Sequence, residues 1–339
     1  MRHRVSVIAT VYNESASIDA LLDSLRRQTR RPDEIIIVDG GSRDDTLLRL
    51  ERHRQRGDLP LRAWALPDCN IAAGRNAAIA AAAGPIIAVV DAGVRLEDRW
   101  LEAITAPFDK GCAPFEEGHS PPDVVSGFFV ADPHTLFERA LGAVTLPRIT
   151  EIDPNTFQPS SRSVAFRRDA WSRVGGYPEW LDYCEDLAFD FLLRDAGCRF
   201  VMQPEALVHF RPRPTLRAFF WQYYRYARGD GKADLWLGRH LIRYGTYLVA
   251  LPALVALGVA HHPLWLALAA VGLGAMVRTP FRRLAPQLRD LSWPERLAAV
   301  AWLPVIRVTG DVAKMLGYPV GLWWRRRHVP ANAWARRWL

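Results

Sequence analysis

Five acidic residues stand where a carboxylate can take part in a reaction. Glu14, Asp39 and Asp91 each follow a short hydrophobic run, and Glu185 and Asp186 are adjacent at the start of a predicted helix. Asp39 can accept a hydrogen bond from a nucleobase, Asp91 can hold a ribose or a divalent cation, and Asp186 can take a proton from a hydroxyl. These roles fit the attack of an acceptor hydroxyl on an anomeric carbon, with a nucleoside diphosphate leaving.

A glycine, an arginine and an asparagine at positions 74–76 complete this set. They lie near the start of a predicted Ala-rich helix. A helix start offers backbone N–H groups to a phosphate, and Arg75 adds a cation. The same helix-end electrostatics favour the charged form of Asp186, which suits a base.

Each of these residues also has a simpler interpretation. An Asp at the end of a strand is often a turn residue, and an acidic pair opening a helix often only compensates the helix dipole. Arg75 taken alone is typical of a solvated charge, and His209 of a structural histidine. The joint order and spacing of the motifs favours the functional interpretation.

The elements that position these residues alternate between strand and helix. Hydrophobic runs predict buried strands at residues 5–10, 34–38 and 86–90, and helical spacing predicts helices near 15–25, 45–56 and 70–83. Strand–helix–strand order with hydrophobic strands implies parallel pairing and right-handed crossovers. Ligands of such sheets bind beyond the carboxyl ends of the strands, where Asp39 and Asp91 are expected.

The following part of the chain contains further strands and two long loops. A strand is expected at 124–130, a helix from Cys184 to about Asp195, and late strands at 200–202 and 206–209. Proline and glycine residues, which interrupt helices and strands, and weak periodicity predict loops at 109–123 and 145–163. The side chains of these loops are expected to line the substrate pocket.

Four motifs in register resemble those of glycosyltransferase family 2, whose fold is GT-A. TVYNE (10–14) resembles the first nucleotide-binding stretch, and IIIVDGGSRDDT (35–46) resembles the V-D-D/N-G-S-x-D-x-T motif. GRNAAI (74–79) resembles the segment before the aspartate motif, and CEDLAF (184–189) resembles the x-E-D motif. The resemblance covers roughly residues 4–230 and implies an α/β, Rossmann-like, mostly parallel sheet flanked by helices.

The resemblance also implies roles for individual residues. The expected donor-binding residues are Thr10, Tyr12, Glu14, Asp39, Gly41, Ser42, Gly74, Arg75, Asn76, Asp91, Gln222 and Arg225. Asp186 is the expected general base, with Glu185 as a second catalytic residue. The implied donor is a nucleotide sugar of the UDP or GDP type, and the implied transfer inverts the anomeric configuration.

Two positions depart from the family pattern. The D-x-D motif is Asp91-Ala92-Gly93 here, so the second carboxylate is missing. A divalent cation, Mn²⁺ or Mg²⁺, would be held by Asp91, with His209 as a second ligand. The alternative is weak or absent metal binding, with Arg75 or Arg162 neutralising the diphosphate. Gly40 replaces the usual second acidic or amide residue, which leaves finer base recognition open.

A later motif bears on the acceptor side. Residues 222–226, QYYRY, resemble the Q-x-x-R-W motif of processive family members, with Tyr226 in place of Trp. The resemblance places Gln222 and Arg225 near the acceptor and the diphosphate. The alternative is an amphipathic, aromatic-rich helix that packs on a membrane or a core.

Charge and apolar runs indicate a membrane-associated C-terminal region. Residues 239–339 carry 14 Arg or Lys against three acidic residues, whereas residues 1–238 are close to neutral. Two apolar runs predict a hairpin at 241–279 with both ends cytoplasmic, because basic residues flank both outer ends. A soluble helical hairpin in a dimer core is the alternative. Residues 293–324 predict an interfacial segment, and the basic, Trp-containing terminus suits anionic lipid.

The sequence therefore predicts a GT-A domain at 1–236 and membrane-associated helices at 237–339. The expected enzyme is a glycosyltransferase at the inner membrane, with its catalytic domain in the cytoplasm and a lipid-linked or glycan acceptor. A processive polysaccharide synthase and a non-catalytic nucleotide-sugar-binding subunit are the alternatives. Nucleic acid is not an expected partner, because the basic residues alternate with membrane-length apolar runs; the oligomeric state stays open. The scattered cysteines, Cys69, Cys112, Cys184 and Cys198, predict free thiols in a reducing compartment.

Overall fold

The computed structural model describes residues 2–109 and 121–329. It contains two compact units, the first formed by residues 1–130 and 149–210 and the second by residues 131–148 and 211–339. These bounds differ from the expected boundary after residue 236, because the helices at residues 136–145 and 216–233 pack with the C-terminal helices. Cys112, most of the expected loop at 109–123 and the terminal Trp334, Arg336, Arg337 and Trp338 lie outside the described residues.

The first unit is built on one eight-stranded sheet with the order β3-β2-β1-β4-β7-β6-β8-β5. The strands are β1 Val5–Val11, β2 Glu34–Asp39, β3 Leu61–Ala65, β4 Ile86–Val89, β5 Val94–Leu96, β6 Val124–Ala131, β7 Val164–Arg167 and β8 Phe200–Phe210. Strands β1 to β4 pair in parallel, as their alternation with helices predicts. The two expected late strands are one continuous strand, β8.

The other half of the sheet is antiparallel. Strand β7 pairs antiparallel with β4 and β6, and β5 pairs antiparallel with β8. The sheet is therefore mixed, in keeping with the expected α/β class. Its parallel half carries the strand ends where the motif residues lie.

The helices of the first unit lie between the strands much as the apolar spacing predicts. They are α1 Ile18–Arg26, α2 Thr46–Arg56, α3 Ile71–Ala81, α4 Trp100–Thr105, α6 Arg168–Val174 and α7 Glu185–Asp195. Helix α3 begins where the Asn70 side chain accepts a hydrogen bond from the backbone N–H of Ala73. Strands β1, β2 and β4 are buried on both faces, as hydrophobic parallel strands require.

The second unit is helical. It contains α5 Leu136–Thr145, α8 Leu216–Ala233, α9 Leu237–Tyr244, a π-helical turn Gly245–Ala250, α10 Leu251–Ala260, α11 Leu264–Leu284 and α12 Trp293–His328. Helices α8 and α12 approach at backbone distance, since a Cβ on Gly317 would lie 2.1 Å from the Tyr224 carbonyl oxygen. A Cβ on Gly321 would lie 2.1 Å from the Arg228 carbonyl oxygen. The expected interfacial segment thus belongs to a long helix that starts with a capping box, Ser292 to Glu295.

Two helices in this unit are long and apolar enough to cross a membrane. They are Leu237–Ala260 and Leu264–Leu288, and only 6% of each apolar window is buried. They enclose the hairpin expected at 241–279. The membrane assignment of this hairpin stays a prediction.

Candidate active site

The loops that follow β1 and β2 are joined by hydrogen bonds. The backbone N–H of Asn13 donates to Ser42 Oγ at 2.7 Å, and the N–H of Arg43 donates to Asn13 Oδ1 at 2.9 Å. The N–H of Glu14 donates to Thr46 Oγ1 at 2.8 Å. These hydrogen bonds join the two predicted donor-site loops into one edge of the site. Asn13 has a left-handed backbone at this edge, with φ 54°.

Asp39 lies at this edge with one oxygen in use and one free. Its Oδ1 accepts hydrogen bonds from the backbone N–H groups of Gly41 at 2.8 Å and Ser42 at 2.6 Å. Its Oδ2 is buried and has no hydrogen-bond partner among the described residues. A buried acceptor without a partner is rare in folded proteins, and this one suits a nucleobase N–H. Tyr12, 56% exposed, follows β1 at the same edge.

Arg75 joins three motifs that are far apart in the chain. Its Nη1 donates to Glu185 Oε1 at 2.6 Å and its Nη2 donates to Asp91 Oδ1 at 2.9 Å. The guanidinium lies 5.4 Å from the centre of the Tyr177 ring, and the side chain is only 3% exposed. Arg75 thus fixes the end of β4 to the start of α7. Its charge is shared by two carboxylates, rather than facing an open diphosphate site.

The electrostatics of this group follow from burial. Burial opposes the charge of Arg75, but Glu185 and Asp91 outweigh it and raise the arginine pKa. Burial and the neighbouring Asp186 raise the pKa of Glu185 to about 7, despite the ion pair with Arg75. Burial also raises the pKa of Asp190, one helical turn after Asp186.

Asp186 is the carboxylate of the pair that a substrate can reach. Glu185 is buried and points to Arg75, whereas Asp186 is half-buried and accepts a hydrogen bond from the Leu187 N–H at 2.9 Å. Cys184, immediately before the pair, has a left-handed backbone at φ 64°. Such strain in a non-glycine residue is typical of functional sites. The geometry therefore gives the two neighbouring acids different surroundings.

Gly74 is required by packing between α3 and β1. A Cβ on Gly74 would lie 2.4 Å from Thr10 Cγ2. The backbone N–H of Gly74 donates to the Asn70 carbonyl oxygen at 3.0 Å, inside the helix. This N–H is therefore not free for a diphosphate, which the sequence-based hypothesis had assigned to it.

Asn76 supports the turn before α7. Its Nδ2 donates to the Tyr177 carbonyl oxygen at 2.9 Å. Its Oδ1 accepts from the Tyr177 N–H at 2.9 Å and from Trp171 Nε1 at 3.0 Å. In the described structure, the Asn76 side chain thus holds this turn through hydrogen bonds within the protein.

The expected metal ligands have protein partners. His209 Nε2 lies 2.5 Å from Glu97 Oε1, and Asp91 Oδ1 accepts from Arg75. No group of three His, Cys, Asp or Glu residues that could hold a metal occurs within residues 2–109 and 121–329. Asp91 is 35% exposed, and nothing in the described chain hydrogen-bonds its Oδ2. One carboxylate oxygen fits a hard cation that takes its other ligands from a diphosphate and water.

The remaining predicted residues divide between the two units. Arg162 lies in the first unit, 4.5 Å from the centre of the Phe210 ring. Gln222 and Arg225 lie on α8 in the second unit, where Gln222 Nε2 donates to the Tyr226 hydroxyl at 2.9 Å.

Two site residues were not predicted from the sequence. Tyr177, under Arg75, stacks on Phe189 with ring centres 4.1 Å apart and is 2% exposed. Asp190 is 4% exposed, and its Oδ2 lacks a hydrogen-bond partner in the described chain. Only the spacing of four between Asp186 and Asp190 could have indicated the second residue, since it places both on one helix face.

Two family models match the chain. Residues 6–115 match the model described as "Glycosyl transferase family 2". Residues 156–309 match the model described as "Glycosyl transferase family group 2". The first match contains Asp39, Arg75 and Asp91, and the second contains Asp186.

Known proteins similar to the chain include one curated relative and two solved structures. A validoxylamine A glucosyltransferase from Streptomyces hygroscopicus subsp. limoneus is 28% identical over 104 residues, which are 30% of this chain and 23% of that protein. The solved mannosyltransferase PcManGT from Pyrobaculum calidifontis, in complex with GDP-Man and Mn²⁺, is 21% identical with a TM-score of 0.63, covering 93% of this chain and 88% of that one. S. aureus TarS 1–349 in complex with UDP-GlcNAc is 19% identical with a TM-score of 0.51, covering 91% of each chain. At these identities the structures establish the fold.

Proposed function

Because the chain is a glycosyltransferase of family 2 with the GT-A fold, we propose that it transfers a sugar, with inversion, from a nucleotide-sugar donor to a lipid-linked or polysaccharide acceptor. Asp186 is the general base of this proposal. Glu185 is the second catalytic residue of the proposal; it is adjacent to Asp186 and pairs with Arg75.

The contact of Arg75 with both Asp91 and Glu185 is the observation that supports the proposal most directly. It brings Asp91, expected at the donor diphosphate, and Glu185, the neighbour of the expected base Asp186, to one guanidinium. A rigid link of this kind would hold donor and acceptor groups in register, which lowers the entropic cost of the reaction. Asp186 as the single base suits one inverting displacement, because Glu185 is held by Arg75 and Asp190 is buried.

The residues of the site divide the work between recognition and proton transfer. Asp39 Oδ2 would accept from the nucleobase, and Asp91 would lie beside the ribose and diphosphate. Asp186 would take the proton of the acceptor hydroxyl as the oxygen attacks the anomeric carbon. The bond to the nucleoside diphosphate breaks in the same displacement, and the diphosphate leaves with the bonding electron pair.

A divalent cation would supply charge neutralisation for the leaving diphosphate. Asp91 Oδ2 is the protein oxygen available to it, while His209 is held by Glu97. Mg²⁺ often binds proteins through one carboxylate together with substrate phosphates and water. The single carboxylate here predicts a metal that binds with the donor rather than before it.

The acceptor side of the proposal rests on the C-terminal helices. Two exposed apolar helices with basic outer ends suit a hairpin in the inner membrane, with both of its ends on the cytoplasmic side. A lipid-linked or glycan acceptor at this surface fits such an enzyme.

The test is turnover of a donor panel by the full-length protein in membranes. UDP- and GDP-sugars are supplied with Mn²⁺ and a membrane lipid extract, and the wild type is compared with Asp186→Asn and the exposed control Asp182→Asn. We expect Asp186→Asn to lose at least ~100-fold in turnover while retaining nucleotide binding. Undiminished turnover would refute the base assignment, and binding by the wild type without turnover would favour the non-catalytic alternative. Long chains formed in a single encounter would favour the processive one.

A further inference from the structure

The second unit contains a polar cluster where the apolar hairpin joins α12. Asp311 on α12 is 10% exposed and accepts from Arg243 Nε at 2.8 Å and from the Tyr247 hydroxyl at 3.0 Å. Tyr247 also lies 3.7 Å from Met276 Sδ of the returning helix. Tyr247 therefore contacts both the returning helix and the buried carboxylate of α12.

The charge of this cluster is not balanced. Arg243 and Arg307 both lie beside Asp311, at 2.8 and 3.7 Å. Lys314, one turn further along α12, lies 4.9 Å from the centre of the Tyr223 ring and makes no hydrogen bond or ion pair with the described residues. We name Arg243, Arg307 and Lys314 the basic cluster. Arg243 and Arg307 thus share one carboxylate, and Lys314 is a third cation close to them.

Asp230 on α8 is a second acid near the basic cluster, so three cations face two carboxylates and an excess of one cation remains. Asp230 accepts from His240 Nε2 at 3.2 Å, and the His240 ring stacks on Tyr318 with centres 3.7 Å apart. Burial, with the repulsion of Arg243, lowers the pKa of Lys314 to about 8. The protein alone therefore disfavours a cation that a bound anion would stabilise.

The position of the basic cluster along the hairpin indicates the source of the anion. Helix from Arg243 to Ala260 rises by about 26 Å at 1.5 Å per residue, close to the ~30 Å hydrocarbon core of a bilayer. With the hairpin inserted and its turn at the far surface, Arg243 lies near the cytoplasmic edge of the hydrocarbon core, from which a long basic side chain extends to the lipid phosphates. Tyr244 and Tyr247 fit the aromatic belt expected at that depth.

We propose that the basic cluster of Arg243, Arg307 and Lys314 binds the phosphate of a membrane lipid. The inference deepens the proposed function and rests on its membrane association. A lipid-linked phosphate monoester and an anionic phospholipid headgroup share this chemistry, and competition between them identifies the source.

The experiment measures binding of radiolabelled farnesyl phosphate to the full-length protein in neutral detergent micelles. Lys314→Gln is compared with the wild type, with Lys314→Arg as the conservative variant and with Arg289→Gln as an exposed control on the same unit. We expect Lys314→Gln to weaken binding by about 10-fold or more, as loss of a charge-assisted hydrogen bond does. Arg289→Gln should bind as the wild type does, and Lys314→Arg should retain most of the affinity. Thermal midpoints report whether each variant is folded.

Competitors separate the sources of the phosphate. Displacement of the label by phosphatidylglycerol would assign the basic cluster to bilayer lipid, and resistance to it would assign the cluster to a phosphate monoester. Both results support a lipid phosphate site. Equal binding by the wild type and a folded Lys314→Gln would overturn it, as would equal affinity for farnesol or inorganic phosphate. Nucleotide binding by Lys314→Gln is measured in parallel, so failure here is distinct from failure of the donor site.

Discussion

Arg75 Nη2 and Asp91 Oδ1 lie 2.9 Å apart, in a pair whose arginine side chain is 3% exposed. The same guanidinium binds Glu185, so the aspartate at the end of β4 and the acidic pair at the start of α7 depend on one side chain. The predicted diphosphate ligand is therefore, in the described chain, the residue that positions two others.

Replacing Arg75 by Lys tests this bridge. Lysine keeps the charge but cannot contact two carboxylates with one planar group. We expect a loss of about 3 kcal/mol or more in the free energy of unfolding, as for a broken buried ion pair. Donor turnover should fall by at least ~100-fold. Urea denaturation and the donor assay measure the two effects.

Arg54→Lys is the matched control for this change. Arg54 also pairs with a carboxylate, Glu51, but on the exposed surface of α2. Its unfolding midpoint should not move. An Arg75→Lys protein as stable and active as this control would show that the bridge has no role.

Restoring the missing carboxylate at Gly93 tests the metal site. A Cβ at Gly93 meets nothing within 4 Å, so an aspartate fits there. We expect Gly93→Asp to tighten manganese-dependent binding of UDP or GDP by about 10-fold, because a hard cation gains an oxygen ligand. Calorimetry with and without manganese measures this. Gly93→Ala is the control, and an equal gain from alanine would exclude the metal explanation.

Gly74 and Thr10 should behave as a coupled pair. An alanine at 74 would clash with Thr10 Cγ2 at 2.4 Å. Overpacking of this kind costs about 1–3 kcal/mol, although Gly→Ala in an open helix stabilises. Thr10→Ser removes the clashing methyl and should recover part of the loss in the double variant. Strictly additive unfolding energies for the two changes would contradict the packing role.

The raised pKa of Glu185 predicts a pH-dependent stability. Its pKa is about 7 in the fold against an ordinary value of 4.5, so the protonated form is favoured on folding. This contribution is complete below pH 4.5 and is lost as the pH rises through about 7. Glu185→Gln cannot titrate, so its stability relative to the wild type should increase from pH 5 to pH 8. An equal difference in stability between the variant and the wild type at both pH values would argue against burial as the cause of the raised pKa. The exposed Glu205→Gln variant is the reference.

The parallel half of the fold was predictable because its information is local. Hydrophobic runs define β1, β2 and β4, and each strand is followed by a motif residue within a few positions. The resemblance was confirmed by the family models, and with it the GT-A fold. The antiparallel pairing of β7 with β4 carries no such local pattern.

The contacts inside the site were not predictable for the same reason. The Arg75–Glu185 pair joins residues 110 positions apart, and no periodicity encodes a separation of that size. The sequence predicts that Gly74 and Asn76 bind the donor. In the structure Gly74 allows close packing of α3 on β1, and Asn76 holds the turn before α7. The sequence also predicts a segment that ends at residue 324, whereas α12 continues to His328.

The glycine contacts between α8 and α12 have a consequence for the order of biosynthesis. Gly231 of α8 has room only for a hydrogen, because the carbonyl of Tyr318 occupies the place of its Cβ at 2.3 Å. During translation, α8 emerges almost ninety residues before the chain that covers this face. The ribosome must complete the apolar hairpin first, so α12 can pack against α8 only after the hairpin has been synthesised.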